Sequence, residues 1–204
     1  SAGAVHSAAG AISIRDIAWT WYRAPQDLSP ELASDALELT EGYRPEPDSG
    51  TFSYAVHACV VAVDPEVGAV EILDYVIVED GGLLINPMVV DGQVFGGAAQ
   101  GVGTALFEEM PYDDSGQPMA NTLAEYLLPS ACEMPHVRIE HMETPSPFSY
   151  FGQKGLGEGG AIGPPAAIAN AINDSFKDIG LVVDRLPIDP ARLYGLIQKA
   201  RGEL

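Results

Sequence analysis

Basic residues are scarce in this sequence. Ten Lys and Arg stand against 29 Asp and Glu in 204 residues, a formal net charge of −19. Such a field repels nucleic-acid phosphates and anionic lipid over most of the surface, which argues against a nucleic-acid binder. The shortage is also local, since no Lys or Arg occurs between Arg44 and Arg138 while fifteen acidic residues fall in that gap. Side chains there cannot neutralise an anion. Cysteine is nearly absent too: Cys59 and Cys132 lie far apart and form neither a disulfide framework nor a CxxC metal clip, so both are expected as buried thiols. No run reaches the ~20 apolar residues of a membrane span. Ser1 to Ala11 lacks the basic flank and apolar run of a secretory signal. The cytoplasm is therefore the expected compartment, with the periplasm left open.

What the sequence does have is 47 % apolar residues with 22 Gly and 16 Pro, enough for a core in one ordinary domain or two small ones. Ser13 and Asp16 have capping-box spacing ahead of Ile14, Ile17, Ala18 and Trp21, which predicts a short helix ended by Pro25 and Pro30. Gly42 to Gly50 reads as a loop. Phe52 to Val63 and Ala69 to Glu79 are strand candidates joined by the turn Asp64 to Gly68; both faces of this hairpin are largely apolar, so cover on both sides is expected. Val137 to Met142 is a further short strand. Pro164-Pro165 opens a helix with Ile168, Ile172, Phe176 and Ile179 as its core stripe, and Asp189 caps a last helix from Pro190 to Lys199. Strands mixed with helices, without regular βαβ spacing, give an α+β fold.

Two glycine-rich segments stand out. Gly92 to Met110 is helical in period but carries five glycines, each costing about 1 kcal/mol relative to Ala in a helix interior. Gly97, Gly101 and Ala105 recur every four residues, a bare ridge that suits close helix packing or the approach of a ligand. Gln93, Gly96 or Gly97, and Gln100 share roughly one face. The second segment, Gly152 to Gly160, holds five glycines in nine residues, which permits positive φ and N–H groups turned to a common point, a way of holding an anion without cations. Lys154 is the sole Lys or Arg between Arg138 and Lys177, and Glu158, at the centre of this turn, is a candidate for proton transfer.

Other patterns carry less. Gly155, Gly157 and Gly160 spell GxGxxG, but Ser146 to Gln153 is not the buried strand a dinucleotide site needs. His6, His57, His136 and His141 lack paired metal-ligand spacing and read as core or surface residues. Ser149 has no GxSxG context, no Cys–His pair suggests a nucleophile, and Glu108 and Glu109 read as solvated surface.

Taken together, Asp80 to Pro87, then Gly92-Gln93 with Gly96, Gly97, Gln100, Gly101 and Gly103, then Lys154 to Glu158 and Pro164-Pro165-Ala166, resemble the C-terminal part of the molybdenum-binding subunit of the xanthine dehydrogenase and aldehyde oxidase family, which includes carbon monoxide dehydrogenase large chains. The resemblance covers almost the whole chain. It implies a C-terminal portion of a molybdopterin-binding domain, with residues 1–50 as an N-terminal helix and connecting loop and 51–204 as the cofactor-binding core. It implies a molybdopterin cofactor with molybdenum, with or without an attached nucleotide, and a Glu at the place of Glu158 that takes the proton of a water-derived oxygen attacking an electron-poor carbon. Gln93, Gly96, Gly97, Lys154, Gly155, Leu156 and Gly157 would lie at the cofactor, and no side chain is assigned as a metal ligand. Substrates of the family span purines, N-heterocycles, aldehydes and CO. Iron–sulfur clusters and FAD are implied on partner domains or chains, and the upstream half of the molybdenum subunit is implied as the direct partner. The absence of the family's upstream half leads us to expect an excised piece or a separately encoded subunit, and the start at Ser1, without Met, favours the excised piece. A non-catalytic assembly or partner-binding domain with the same fold is the alternative.

Overall fold

The computed structural model describes residues 3–31, 37, 40–44 and 51–203. It divides into two units, Ser1–Arg44 and Pro45–Leu204. The greater part of the expected loop at 42–50 lies outside the described residues.

The first unit begins with a hairpin that the sequence reading does not contain: β1 (Ala4–Ser7) pairs antiparallel with β2 (Gly10–Ser13). Strands of only four residues carry too little alternation to be read. Helix α1 (Ile14–Arg23) follows as expected. Ser13 Oγ accepts the Asp16 N–H and donates to the Asp16 carboxylate at 2.6 Å, so the cap forms as expected but closes through the hydroxyl and not through the Ser13 backbone N–H of a full capping box. No residue of α1 is buried within the described residues, and Trp19 and Tyr22 stand open.

The second unit is built on a three-stranded sheet in the order β3-β4-β5. Strands β3 (Tyr54–Asp64) and β4 (Ala69–Asp80) form the expected hairpin, with a register shift between Val60 and Val61. Gly68 closes the turn at φ +71°, its N–H on the Asp64 carbonyl; a side chain there would meet the backbone of Pro190. β5 (Val137–Met142) adds parallel to β4, Tyr75 opposite Val137. Helix α2 (Pro87–Leu106) starts five residues before the expected Gly92. Asn86 caps it by accepting the Val89 N–H, and Pro87 occupies the first turn, where its missing N–H costs nothing. It also ends four residues before the expected Met110. The one-turn helix α3 (Gly159–Ile162) leads into α4 (Pro164–Ser175), and α5 (Pro190–Arg201) is capped by Asp189, which accepts the Arg192 N–H.

Tyr75 and Ile77 of β4, Val94 and Val102 of α2, Ile168 and Ile172 of α4, and Leu193 and Ile197 of α5 form the buried core. Full burial of such aliphatic side chains is worth about 1.5–3 kcal/mol each. The glycine ridge of α2 faces α3 and α4. A Cβ on Gly97 would come within 2.9 Å of Gly160 Cα, and one on Gly101 within 2.7 Å of the Pro164 ring. Close packing therefore offsets the cost of these glycines, because no side chain fits between the backbones.

Four expectations are corrected. The hairpin is not covered on both sides among the described residues: β4 is buried at Tyr75, Ile77, Glu79 and Asp80 but open at Leu73, and Tyr54, Val56 and Val60 of β3 are exposed, since the helices lie on one side of that strand. Cys132 is exposed, held in a turn outside the core, while Cys59 is half-buried and its thiol is pushed up by burial. Glu108 and Glu109 lie past the end of α2 and are half-buried. Glu108 accepts the Tyr126 hydroxyl and Glu109 pairs with Arg192 at 3.2 Å. Ile179 falls in a separate 3-10 turn and is exposed, so the core stripe of α4 is shorter than expected.

Candidate functional site

The glycine turn is mounted on the end of β4. Gly82 and Gln153 form an isolated antiparallel bridge, the Lys154 N–H donates to the Gly81 carbonyl at 2.8 Å, and the Leu83 N–H to the Gly152 carbonyl at 3.2 Å. This close crossing needs glycine on both sides: Gly82 and Gly152 have φ of +68° and +77°. Within Gly152 to Gly160, positive φ occurs at Gly152 alone, fewer places than the glycine density suggests. Gly155 and Gly157 are bare for a different reason, since nothing lies within 4 Å of where a Cβ would stand. The backbone N–H groups of Gly155, Leu156, Gly157 and Glu158 have no hydrogen-bond partner among the described residues. Leu156 is half-buried and its side chain lies against Gly81, which fastens the turn to the sheet.

Asp80 organises the underside. Its Oδ1 accepts the Gly82 N–H at 2.8 Å, the Thr144 N–H at 3.2 Å and the Lys154 ammonium at 3.1 Å. Removal from water pushes this carboxyl up, but the bonds from Thr144, Gly82 and Lys154 outweigh that and hold it well below the usual carboxylate range. The Lys154 side chain is only 8 % exposed and also lies 5.2 Å over the Tyr54 ring. Its charge is thus directed inward at Asp80 rather than outward at a ligand.

Helix α2 supplies the second wall. Gln93 Nε2 donates to the Gly157 carbonyl at 2.6 Å, a contact across 64 positions of sequence. Gly97 is buried against Gly160, whereas Gly96 and Gln100 on the neighbouring face are exposed and Gly96 has open space at its Cβ position. Of the expected residues, Gln93, Gly96, Gly155, Gly157 and Glu158 therefore share one accessible region, while Gly97, Lys154 and Leu156 hold that region from behind. Glu158 is exposed, sits at the N-cap position of α3 with φ −110° and ψ −2°, and caps nothing with its side chain. Beneath the turn, Tyr54, His57, Glu79, Leu156, Gly159 and Ile162 line a cavity of about 260 Å³.

Sequence reasoning left the partners of Glu79 and Asp80 unread. Glu79 is 2 % exposed and bonded to His141, and Asp80 is wholly buried on Lys154. The available signal was the run of a buried strand straight into two acids, each of which demands a partner.

These residues suit a ligand that is anionic and flat: four successive free N–H groups can donate to negative oxygen, and a helix face without side chains at Gly96 admits close approach. Among the described residues, no three His, Cys, Asp or Glu side chains converge as metal ligands.

Comparison with known proteins points the same way. Residues 1–135 match the model of a molybdopterin cofactor-binding domain. The nicotine 6-hydroxylase large subunit of Paenarthrobacter nicotinovorans is 36 % identical over 196 residues, covering 94 % of this chain and 23 % of that protein. The carbon monoxide dehydrogenase large chain of Hydrogenophaga pseudoflava is 32 % identical over 182 residues, 89 % of this chain and 22 % of that one. Among solved structures, quinoline 2-oxidoreductase from Pseudomonas putida 86 superposes with a TM-score of 0.78 at 38 % identity, covering 97 % of this chain and 25 % of that chain. The chain thus spans about a quarter of the length of the relatives it matches. With the fold, the glycine turn and the family model in agreement, the chain belongs to the molybdopterin cofactor-binding family of xanthine dehydrogenase, carbon monoxide dehydrogenase and aldehyde oxidoreductase molybdenum-binding subunits.

Proposed function

We propose that this chain forms one wall of the molybdopterin pocket of a molybdenum hydroxylase and supplies its general base, Glu158. The observation that carries the reading is the 2.6 Å bond from Gln93 to the Gly157 carbonyl, which joins two distant glycine-rich segments into one accessible region. The bound group would supply the two-electron oxidation of an electron-poor carbon, with oxygen from water. In balanced form R–H and water give R–OH, two protons and two electrons, and iron–sulfur and flavin centres on other domains or chains would take up the electrons.

This chain's own residues bind, orient and move a proton. The free N–H groups of Gly155, Leu156, Gly157 and Glu158 donate to anionic oxygen of the cofactor without a cation. Gln93 fixes the turn through its amide N–H and keeps its carbonyl oxygen available, and Gly96 leaves room for a flat ring beside α2. The Glu158 carboxylate, unused in any capping bond, takes the proton of the attacking water-derived oxygen. Lys154 and Gly97 act from behind by fixing the backbone. The family resemblance extends the substrate class to N-heterocycles, aldehydes, purines or CO, and the relatives' names, a nicotine hydroxylase and a quinoline oxidoreductase, favour an N-heteroaromatic. The cytoplasm is the proposed compartment; among the described residues no helix is long and apolar enough to cross a membrane.

The reading expects the rest of the subunit to be needed for enclosure. Purified alone and supplied with cofactor, the 204-residue chain should hold little molybdenum and oxidise neither aldehydes nor N-heterocycles in a dye-linked assay. Co-produced with the upstream part of a relative's large subunit and its partner chains, it should yield both. Stoichiometric molybdenum with turnover by the chain alone would contradict the shared pocket.

A further inference from the structure

Beside the proposed site, one imidazole spans two carboxylates from different elements. His141 of β5 lies with Nδ1 2.9 Å from Glu79 Oε1 on β4 and with Nε2 2.8 Å from Asp91 Oδ1 on α2. The side chains grade from buried to open: Glu79 is 1 % exposed, His141 18 % and Asp91 58 %. Each end of this three-residue bridge adjoins one arm of the site, one in sequence and the other in space. Asp91 precedes Gln93 by two residues on α2. Glu79 Oε2, buried and without a hydrogen-bond partner, lies 3.5 Å from where a Cβ on Gly159 would stand, directly after Glu158.

We propose that His141 is a positioning residue that locks the start of α2, with Gln93, to the turn that carries Glu158. This rests on the reading of Gln93 and Glu158 given above. A carboxylate only accepts, and a neutral imidazole has a single N–H, so two contacts of this length require two shared protons. Either the ring is an imidazolium between two carboxylates, or Glu79 is protonated and the ring donates to Asp91. Burial pushes the Glu79 carboxyl up, and the charge and hydrogen bond of His141 oppose that. The other charged groups around the trio are Asp80, neutralised by Lys154, and across the cavity His57, whose ring is lowered by burial.

As pH rises the Glu79 carboxyl, pushed up by burial, gives up its proton, the ring N–H shifts to it, and the contact that breaks is the exposed one to Asp91, where water replaces the lost partner. The buried Glu79 contact persists because no water is at hand to take its place. Loss of the Asp91 contact frees the first turns of α2 from the sheet. An Asn at position 91 changes this dependence: its side-chain N–H donates to Nε2 of a neutral ring whose Nδ1–H remains on Glu79, so the lock holds with one proton fewer.

The test uses the complete enzyme with His141→Gln and Asp91→Asn, followed by amide hydrogen exchange, molybdenum content and the pH profile of kcat and KM. In molybdenum-loaded His141→Gln, amides in 88–93 and 155–160 should exchange about 10-fold faster, as expected for losing a hydrogen bond to a charged group, and kcat should fall by a comparable factor with KM and molybdenum content unchanged. The wild type should lose kcat as pH rises, and Asp91→Asn should keep it to higher pH. Unchanged exchange in either segment, or an Asp91→Asn profile identical to the wild type, would overturn the proposal. Asp91→Asn leaves the buried contact in place, so the proposal stays open to refutation if His141→Gln does not fold. Exchange does not depend on catalysis, so a wrong assignment of Glu158 would show in the activity of Glu158→Gln and not in the exchange of these segments.

Discussion

Glu158→Gln, made in the assembled enzyme, lowers turnover by about 10²- to 10⁴-fold, the range for loss of a positioned general base, while molybdenum content stays at the wild-type level. The amide is close in shape to the carboxylate, and the Glu158 side chain makes no capping bond that the change could break. The backbone of the turn is held elsewhere, by Lys154 on Gly81, by Leu156 against Gly81 and by Gln93 on Gly157. Stability and cofactor loading should therefore be untouched, and the whole effect should appear in the chemical step. Metal analysis beside steady-state kinetics checks this, and full activity in a metal-replete variant would remove Glu158 from the mechanism.

The second large effect concerns stability. Lys154→Met should destabilise the protein by about 3–5 kcal/mol, the usual cost of leaving one member of a buried ion pair without the other. Asp80 is wholly buried, its Oδ2 already lacks a partner, and Lys154 is the sole side-chain cation bonded to it among the described residues. The pH dependence has a definite sign. Because the folded Asp80 carboxyl is held below its ordinary value, its contribution is fully present above about pH 4, the pKa of an unfolded Asp, and is lost as pH falls through the lower folded value. Lys154→Met removes one cause of that lowering, so the acid-unfolding midpoint should move to higher pH. Urea and acid unfolding, followed by circular dichroism, measure both. A variant as stable as the wild type would mean that the pair is solvated in solution.

The parts of the fold that local chemistry dictates were legible in the sequence. The Ser13–Asp16 cap, the Asp64–Gly68 turn, the Val137–Met142 strand and the Asp189 cap each depend on residues within a few positions of one another. The start of α2 was not found, because the glycine period draws attention to Gly92 and away from the stronger signal of Asn86 followed by Pro87. The site was legible in outline, since glycine density marks a turn made for close approach and Glu158 stands within it. Its assembly was not. No spacing rule connects Gln93 to Gly157, or Lys154 to Asp80 across 74 positions. A lone Lys in a glycine loop reads naturally as a ligand-facing cation, and only the three-dimensional structure turns it inward. In the same way the α2 ridge serves two ends, Gly97 and Gly101 admitting α3 and α4 while Gly96 is left open.

If the Gly155–Glu158 amides hold the cofactor, amide hydrogen exchange of the complete enzyme must differ between its cofactor-free and molybdenum-loaded forms. These four N–H groups have no acceptor among the described residues, so they should exchange fast in the cofactor-free form and become strongly protected on loading, with Gly180 and Gly202 at remote helix ends unchanged as controls. Equal exchange of the Gly155–Glu158 amides in the two forms would contradict the account.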